Sequence, residues 1–273
     1  MSNIAQRTIT GIVLLGVIIG SIVFCEYSFL LCIGALLLFS ITEFYTITKS
    51  EDTVPQNIFG AAIGISIFAA SYLYVKQLVD ARVFALIIPF FLISFIIELY
   101  KKQGKPFQNL AFTILGVFYI AIPYSLFNFI VFNTFNKEYS FGLLLCLFAF
   151  NWSNDTGAYL FGITFGKHRL FERISPKKSW EGAIGGAISV VGIAFLFAYL
   201  LPYISLINWI ILGLIVCVFG VFGDLVESLL KRSLNIKDSG ILLPGHGGFL
   251  DRFDAVIFST PAFFAYLYLI SNS

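Results

Sequence analysis

The chain is 273 residues long, 59% of them hydrophobic and only 12% charged, with a formal net charge of +2. A soluble domain carries roughly a quarter charged residues, so this composition excludes one and implies a membrane protein. The small positive excess also excludes the basic footprint of a nucleic-acid-binding protein.

A bilayer core of about 30 Å is crossed by a helix of about 20 mostly apolar residues. Residues 8–25 make the first such run. No small-residue cleavage pattern follows it, so it reads as a retained span rather than a signal peptide. Residues 27–47 are the second, with Glu43 near the end, and 57–75 the third. The fourth, 83–100, carries Pro89 as an expected kink and Glu98 at its edge. Residues 106–136 hold no charge and predict a fifth helix, kinked near Pro123, with a loop behind it. A sixth run, 139–165, is interrupted by Asp155. Residues 182–223 are too long for one span, and a turn at 202–208 divides them into helices seven and eight. Residues 255–270 are the ninth. The runs are continuous rather than alternating, which excludes membrane strands.

With the N-terminus inside, fourteen of the 17 Lys and Arg fall on inner segments, and only Lys76, Arg82 and Lys137 lie outside. The positive-inside rule therefore supports an all-α polytopic protein of about nine transmembrane helices with a cytoplasmic N-terminus. No repeat or linker breaks the chain, so residues 1–273 read as one domain, with helices one to five in 1–138 and six to nine in 139–273. Cys25, Cys32, Cys146 and Cys217 sit in apolar runs without CxxC spacing and read as packing residues. The Gly60/Gly64 and Gly182/Gly186 spacings suit close helix packing, although 23 glycines produce such spacings by chance.

Polarity collects in the second half, which predicts a polar, cytoplasm-facing active-site cavity there. Asn151, Asn154, Asp155 and Tyr159 are three or four residues apart and share a helical face, either as a packing cluster or as a cavity wall. The loop after them sets Lys167, His168, Arg169, Arg173, Lys177 and Lys178 against Glu172 and Glu181. It is either an anchor for anionic head groups or a triphosphate site with donors from Ser175, Lys177, Lys178 and Ser179. The spacing up to Gly166-Lys167 is one residue short of a P-loop and follows a membrane helix, so that motif is excluded.

The densest polar stretch is 223–254. Asp224, Glu227 and Lys231 share one face at the end of helix eight, and Asp251 and Asp254 open helix nine. Between them the run Pro244 to Gly248 lacks side-chain bulk, so backbone can approach a ligand closely. Hard oxygen donors on two helices suit Mg²⁺ held together with substrate phosphates. His246 has no second histidine or cysteine at ligand spacing, which argues against zinc. Carboxylates for a metal and lysines for phosphates, in a membrane cavity, point to phosphoryl or nucleotidyl transfer on a lipid head group.

At this point the chain closely resembles the phosphatidate cytidylyltransferases. Ser228, Lys231, Arg232, Lys237, Asp238, Pro244, His246, Gly247, Gly248, Asp251, Arg252 and Asp254 occupy that family's signature without a gap. DTGAYLFG at Asp155 and SPKKSWEG at Ser175 are similar to two further family motifs, with Ser179 where threonine is expected. The resemblance extends over the C-terminal half. It implies an Mg²⁺-dependent enzyme of phospholipid biosynthesis that converts CTP and phosphatidic acid into CDP-diacylglycerol and pyrophosphate. It also implies K⁺ as a second cation, a homodimer, and residence in a bacterial plasma membrane with the site facing the cytoplasm.

Carried over by motif, Asp224 and Asp251 are the expected metal ligands. Lys177, Lys178, Lys231 and Lys237 are expected to hold phosphates, while Asp155, Glu227, Asp238 and Asp254 order them or the metal. Asp224, Lys231, Asp251, Lys178 and Asp155 form the expected catalytic group. Ser175, Ser179, Arg232, Gly247, Gly248 and Arg252 complete the substrate contacts, and His246 either donates to pyrophosphate or braces the glycine turn. Two other readings stand beside this one. A CTP-dependent lipid kinase of the dolichol or phytol type would release CDP. An ion-coupled transporter would show two related halves, whereas here the polarity lies in one.

Overall fold

The computed structural model of the protein describes residues 3–102, 104–132, 138–240 and 247–271. Its helices are α1 (Asn3–Phe24), α2 (Glu26–Ile47), α3 (Asn57–Val75), α4 (Ile88–Tyr100), α5 (Pro106–Gly116), α6 (Ile122–Val131), α7 (Gly142–Phe165), α8 (Trp180–Leu200), α9 (Leu206–Ser233) and α10 (Leu250–Ser271). Among the described residues, seven helical stretches are long and apolar enough to cross a membrane. Two of these are composite: a 3₁₀ turn, Ala81–Ile87, leads into α4, and a π turn, Val117–Ala121, joins α5 to α6. The apolar part of α1 is shorter, Ile9–Phe24, and α7 has the length of a span but a polar middle. The chain is an all-α polytopic membrane protein.

Both expected proline kinks take a particular form. Pro89 marks the change from the 3₁₀ turn to the α-helix within this stretch. It stands in the first turn of α4, where its missing N–H costs no helical hydrogen bond. Pro123 stands in the first turn of α6, immediately after the π turn, whose wider winding accommodates the break in the ladder. The loop between α7 and α8 holds a two-stranded antiparallel hairpin, β1 (Arg169–Phe171) with β2 (Ser175–Ser179).

The chain forms two compact units, and each is discontinuous. The first comprises Met1–Phe132 with Ile236–Arg252, so the segment carrying Asp238 and Asp251 groups with the N-terminal helices. Its core is the buried face of α2, where Phe29, Ile33, Leu37, Ile41, Phe44 and Tyr45 are all fully enclosed. The Tyr45 hydroxyl donates to the Thr113 carbonyl at 2.7 Å. Its ring leaves no room for a side chain at Gly60 or Gly116. Glu98 is buried but accepts from Gln56 Nε2 at 2.8 Å and Asn109 Nδ2 at 3.0 Å, with Lys101 Nζ at 3.1 Å. A charge within apolar helices persists when its oxygens are satisfied in this way.

The second unit comprises Asn133–Asn235 with Phe253–Ser273. Here α7 packs most extensively on α8, and the glycine spacing in α8 has a physical role. A Cβ at Gly182 would lie 2.8 Å from the Ala158 carbonyl, and one at Gly186 would lie 3.0 Å from that of Asn154. Such close backbones are how membrane helices gain dispersion energy without a hydrophobic drive. Phe150, Phe197 and Trp209 pack together on α7, α8 and α9.

Candidate active site

Three elements of the second unit bring polar groups into one cavity of about 260 Å³. From α7 come Asn154, Asp155 and Tyr159; from β2, Lys177, Lys178 and Ser179; from α9, Asp224. The hairpin owes its position to local chemistry. Glu181 in the first turn of α8 accepts from the backbone N–H of Lys167 at 3.1 Å and of His168 at 3.2 Å, and its carboxylate lies 2.6 Å from His168 Nδ1. Ser179 caps α8 by accepting from Gly182 N at 3.1 Å. β2 therefore runs directly into a fixed helix start, and its two lysines are carried at the cavity.

The lysines meet carboxylates there. Lys178 Nζ lies 2.5 Å from Asp224 Oδ2, and Lys231 Nζ lies 2.5 Å from Glu227 Oε2 one helical turn away on the same helix. Asp224 also accepts from Ser228 Oγ at 3.3 Å. Asp224, Glu227 and Asp254 place one carboxylate oxygen each within 4.8 Å of one another. Glu227 is 1% exposed and Asp254 8% exposed. Hard oxygen donors at this spacing fit a small divalent ion.

The structure separates the expected site residues. Asp155, Lys177, Lys178, Ser179 and Asp224 line the cavity together, and Glu227, Lys231 and Asp254 belong to the adjoining charge cluster. Ser175 begins β2 but is not part of the cavity lining. Arg232, Lys237, Asp238 and Arg252 are exposed. His246, with Pro244, lies outside the described residues. Asn151 separates from its expected neighbours: its Nδ2 donates to Ser259 Oγ at 3.2 Å in a buried contact, so it packs α7 on α10.

The glycine turn belongs to the first unit. Asp251 Oδ2 accepts from the backbone N–H of Ser239 and of Gly248, each at 3.0 Å. Gly247 has φ of +84°, a conformation that favours glycine. At Gly248 a side chain of the protein itself approaches the backbone closely. The Glu43 carboxylate occupies the place a Cβ would take. Sequence reasoning passed over Glu43 and Glu181 in these roles. Neither stands in a recognisable spacing with its partners, and Glu43 is 206 residues from Phe249, to whose N–H it is bonded.

Beside the polar cavity lies an apolar one of about 390 Å³, formed by the hairpin, α8 and α9, and the two share Leu170, Ala183 and Val221 in their walls.

Comparison with known proteins gives concordant results. The chain matches the profile of the Cytidylyltransferase family over residues 5–270, so the match reaches well into the N-terminal half. It is 32% identical to a phosphatidate cytidylyltransferase of Haemophilus influenzae, with 96% of this chain and 98% of that protein aligned. It is 42% identical to a phosphatidate cytidylyltransferase of Staphylococcus aureus strain COL over 62% of this chain and 64% of that one. The corresponding figures for the protein of that name from Staphylococcus haemolyticus are 41%, 62% and 64%.

Proposed function

Since the chain belongs to the cytidylyltransferase family, we propose that it transfers CMP from CTP to phosphatidic acid, forming CDP-diacylglycerol and pyrophosphate in phospholipid biosynthesis. The observation that carries this reading is the pairing of two cavities with a common wall. One is lined by lysines and carboxylates, and its neighbour is lined almost wholly by apolar side chains. A triphosphate and a phosphate-bearing lipid require that combination.

Bond changes are simple. A phosphatidate oxygen attacks the α-phosphorus of CTP in line, and the bond to the bridging oxygen of pyrophosphate breaks. The nucleophile is already anionic, so no strong general base is needed, and catalysis rests on alignment and charge neutralisation. Asp224, Glu227 and Asp254 are the donor set that fits Mg²⁺, and the motif resemblance adds Asp251 and a K⁺ ion. When bound, Mg²⁺ supplies a positive charge for the phosphoryl oxygens and the departing pyrophosphate. Lys177 and Lys178 bind and orient phosphates from β2. Lys231 holds Glu227 in place and keeps the buried carboxylate compensated. Asp155, on the wall of the same cavity, orients these groups. The bias of Lys and Arg among the loops supports a site that faces the cytoplasm, and the family resemblance supports a homodimer.

The reading is tested with purified protein, CTP labelled at the α-phosphorus, phosphatidic acid and Mg²⁺. Label should appear in lipid with an equal amount of pyrophosphate. Free CDP with unlabelled lipid would mark a CTP-dependent lipid kinase instead. The apolar cavity gives a separate prediction. Ala187→Phe, which fills its α8 wall, should raise KM for dioleoyl phosphatidic acid about tenfold. KM for CTP should stay within about twofold. Equal changes for both substrates would remove the acyl chain from this cavity.

A further inference from the structure

Glu43 is a carboxylate, 5% exposed, close to the end of the apolar helix α2. An ionised carboxylate in such a place is costly unless several donors satisfy it. Among the described residues, its donors come from one stretch of chain. Phe249 N–H donates to Oε2 at 2.9 Å, Leu250 N–H to Oε1 at 3.1 Å, and the Ser239 hydroxyl makes a short hydrogen bond to Oε1. One turn earlier on α2, Phe39 stacks on Phe249 with ring centroids 4.9 Å apart. Any Cβ at Gly240 or Gly248 would run into the Glu43 side chain. The two glycines are thus shaped to the carboxylate. From the other side Asp251 takes the N–H groups of Ser239 and Gly248, so the turn is held between two carboxylates.

We propose that Glu43 is a positioning residue for the transfer reaction. By accepting from Ser239, Phe249 and Leu250 it fixes the glycine turn and the start of α10, and so sets the direction of Asp251. A cap for α10 alone would need only a local Ser, Thr or Asp. Here the acceptor comes from a distant helix and also fastens Ser239, so Ser239, Phe249 and Leu250 are held by one group. The inference rests on the reading of the chain as a cytidylyltransferase whose glycine turn and Asp251 serve the reaction.

Glu43→Gln keeps the size of the side chain but turns an amide NH₂ toward donors. In folded protein it should lower kcat at least about tenfold, the usual effect of losing a group that orients a ligand-bearing residue. KM for CTP should stay within about threefold, because Lys177 and Lys178 stand on β2 and are untouched. Hydrogen exchange gives a readout independent of turnover. Amides of Phe249 and Leu250 should lose protection, while those of α7, α8 and α9 keep theirs. Ser239→Ala, a milder change, should lower kcat about threefold, and its effect should vanish in the Glu43→Gln background. A folded Glu43→Gln protein with wild-type kcat, or unchanged exchange at Phe249 and Leu250, overturns the proposal. So does strict additivity of the two substitutions. Wild-type protein that transfers no label defeats the functional reading instead, and the exchange result still decides whether Glu43 holds the turn.

Discussion

Asp224→Asn should reduce transfer of CMP into lipid by at least about 100-fold while the protein stays folded. The substitution preserves shape and removes one negative charge from the group formed by Asp224, Glu227 and Asp254. It also removes the counter-charge of Lys178, whose Nζ lies 2.5 Å from Asp224 Oδ2. Two consequences follow for the assay. The Mg²⁺ concentration giving half-maximal rate should rise, because a donor set of three carboxylates has lost one charge. KM for CTP should change little or fall, since Lys178 is released toward phosphate. Asp251→Asn provides the contrast. Its Oδ2 serves two backbone N–H groups, so that variant should also disturb exchange at Ser239 and Gly248. Should Asp224→Asn keep more than a tenth of wild-type activity at saturating Mg²⁺, Asp224 is not a ligand.

Lys231→Met should destabilise the protein by about 3 kcal/mol, the cost of stranding a buried charge when its partner is deleted. The stranded group is Glu227, 1% exposed and 2.5 Å from the lysine nitrogen. A fall in the midpoint of thermal unfolding in detergent would register the loss. Adding Glu227→Gln should restore most of that stability, because the amide needs no counter-charge. It should not restore transfer, because a candidate metal donor has gone as well. This cycle separates two roles of one side chain. Recovery of activity along with stability would mean that Lys231 and Glu227 form only a structural pair.

Much of this architecture was legible before any coordinates. Lipid offers no partner for a backbone N–H or C=O, so a spanning chain must be helical and apolar over a set length, and that requirement is written locally. The helices at 27–47, 57–75 and 182–200 accordingly fall where hydropathy puts them. The charged motif at Asp224, Glu227 and Lys231 was equally plain, because helical spacing alone aligns its members. Proline was read less well. Pro89 gives the same signal whether it kinks a helix or begins one, and only the neighbouring 3₁₀ turn distinguishes the cases.

By itself, then, the sequence determined the class of protein, the helices and the residue types available for chemistry, all of which depend on neighbours within a few turns. The tertiary structure decided which of those residues meet. It gave Asp224 and Glu227 the company of Asp254, turned Asn151 away to Ser259, and brought β2 with Lys178 to α9. It also recruited Glu43 from an N-terminal helix to hold the Gly248 turn. Hydropathy is summed along a chain, whereas a buried charge is compensated by whatever packing brings within about 3 Å, however far away it lies in sequence.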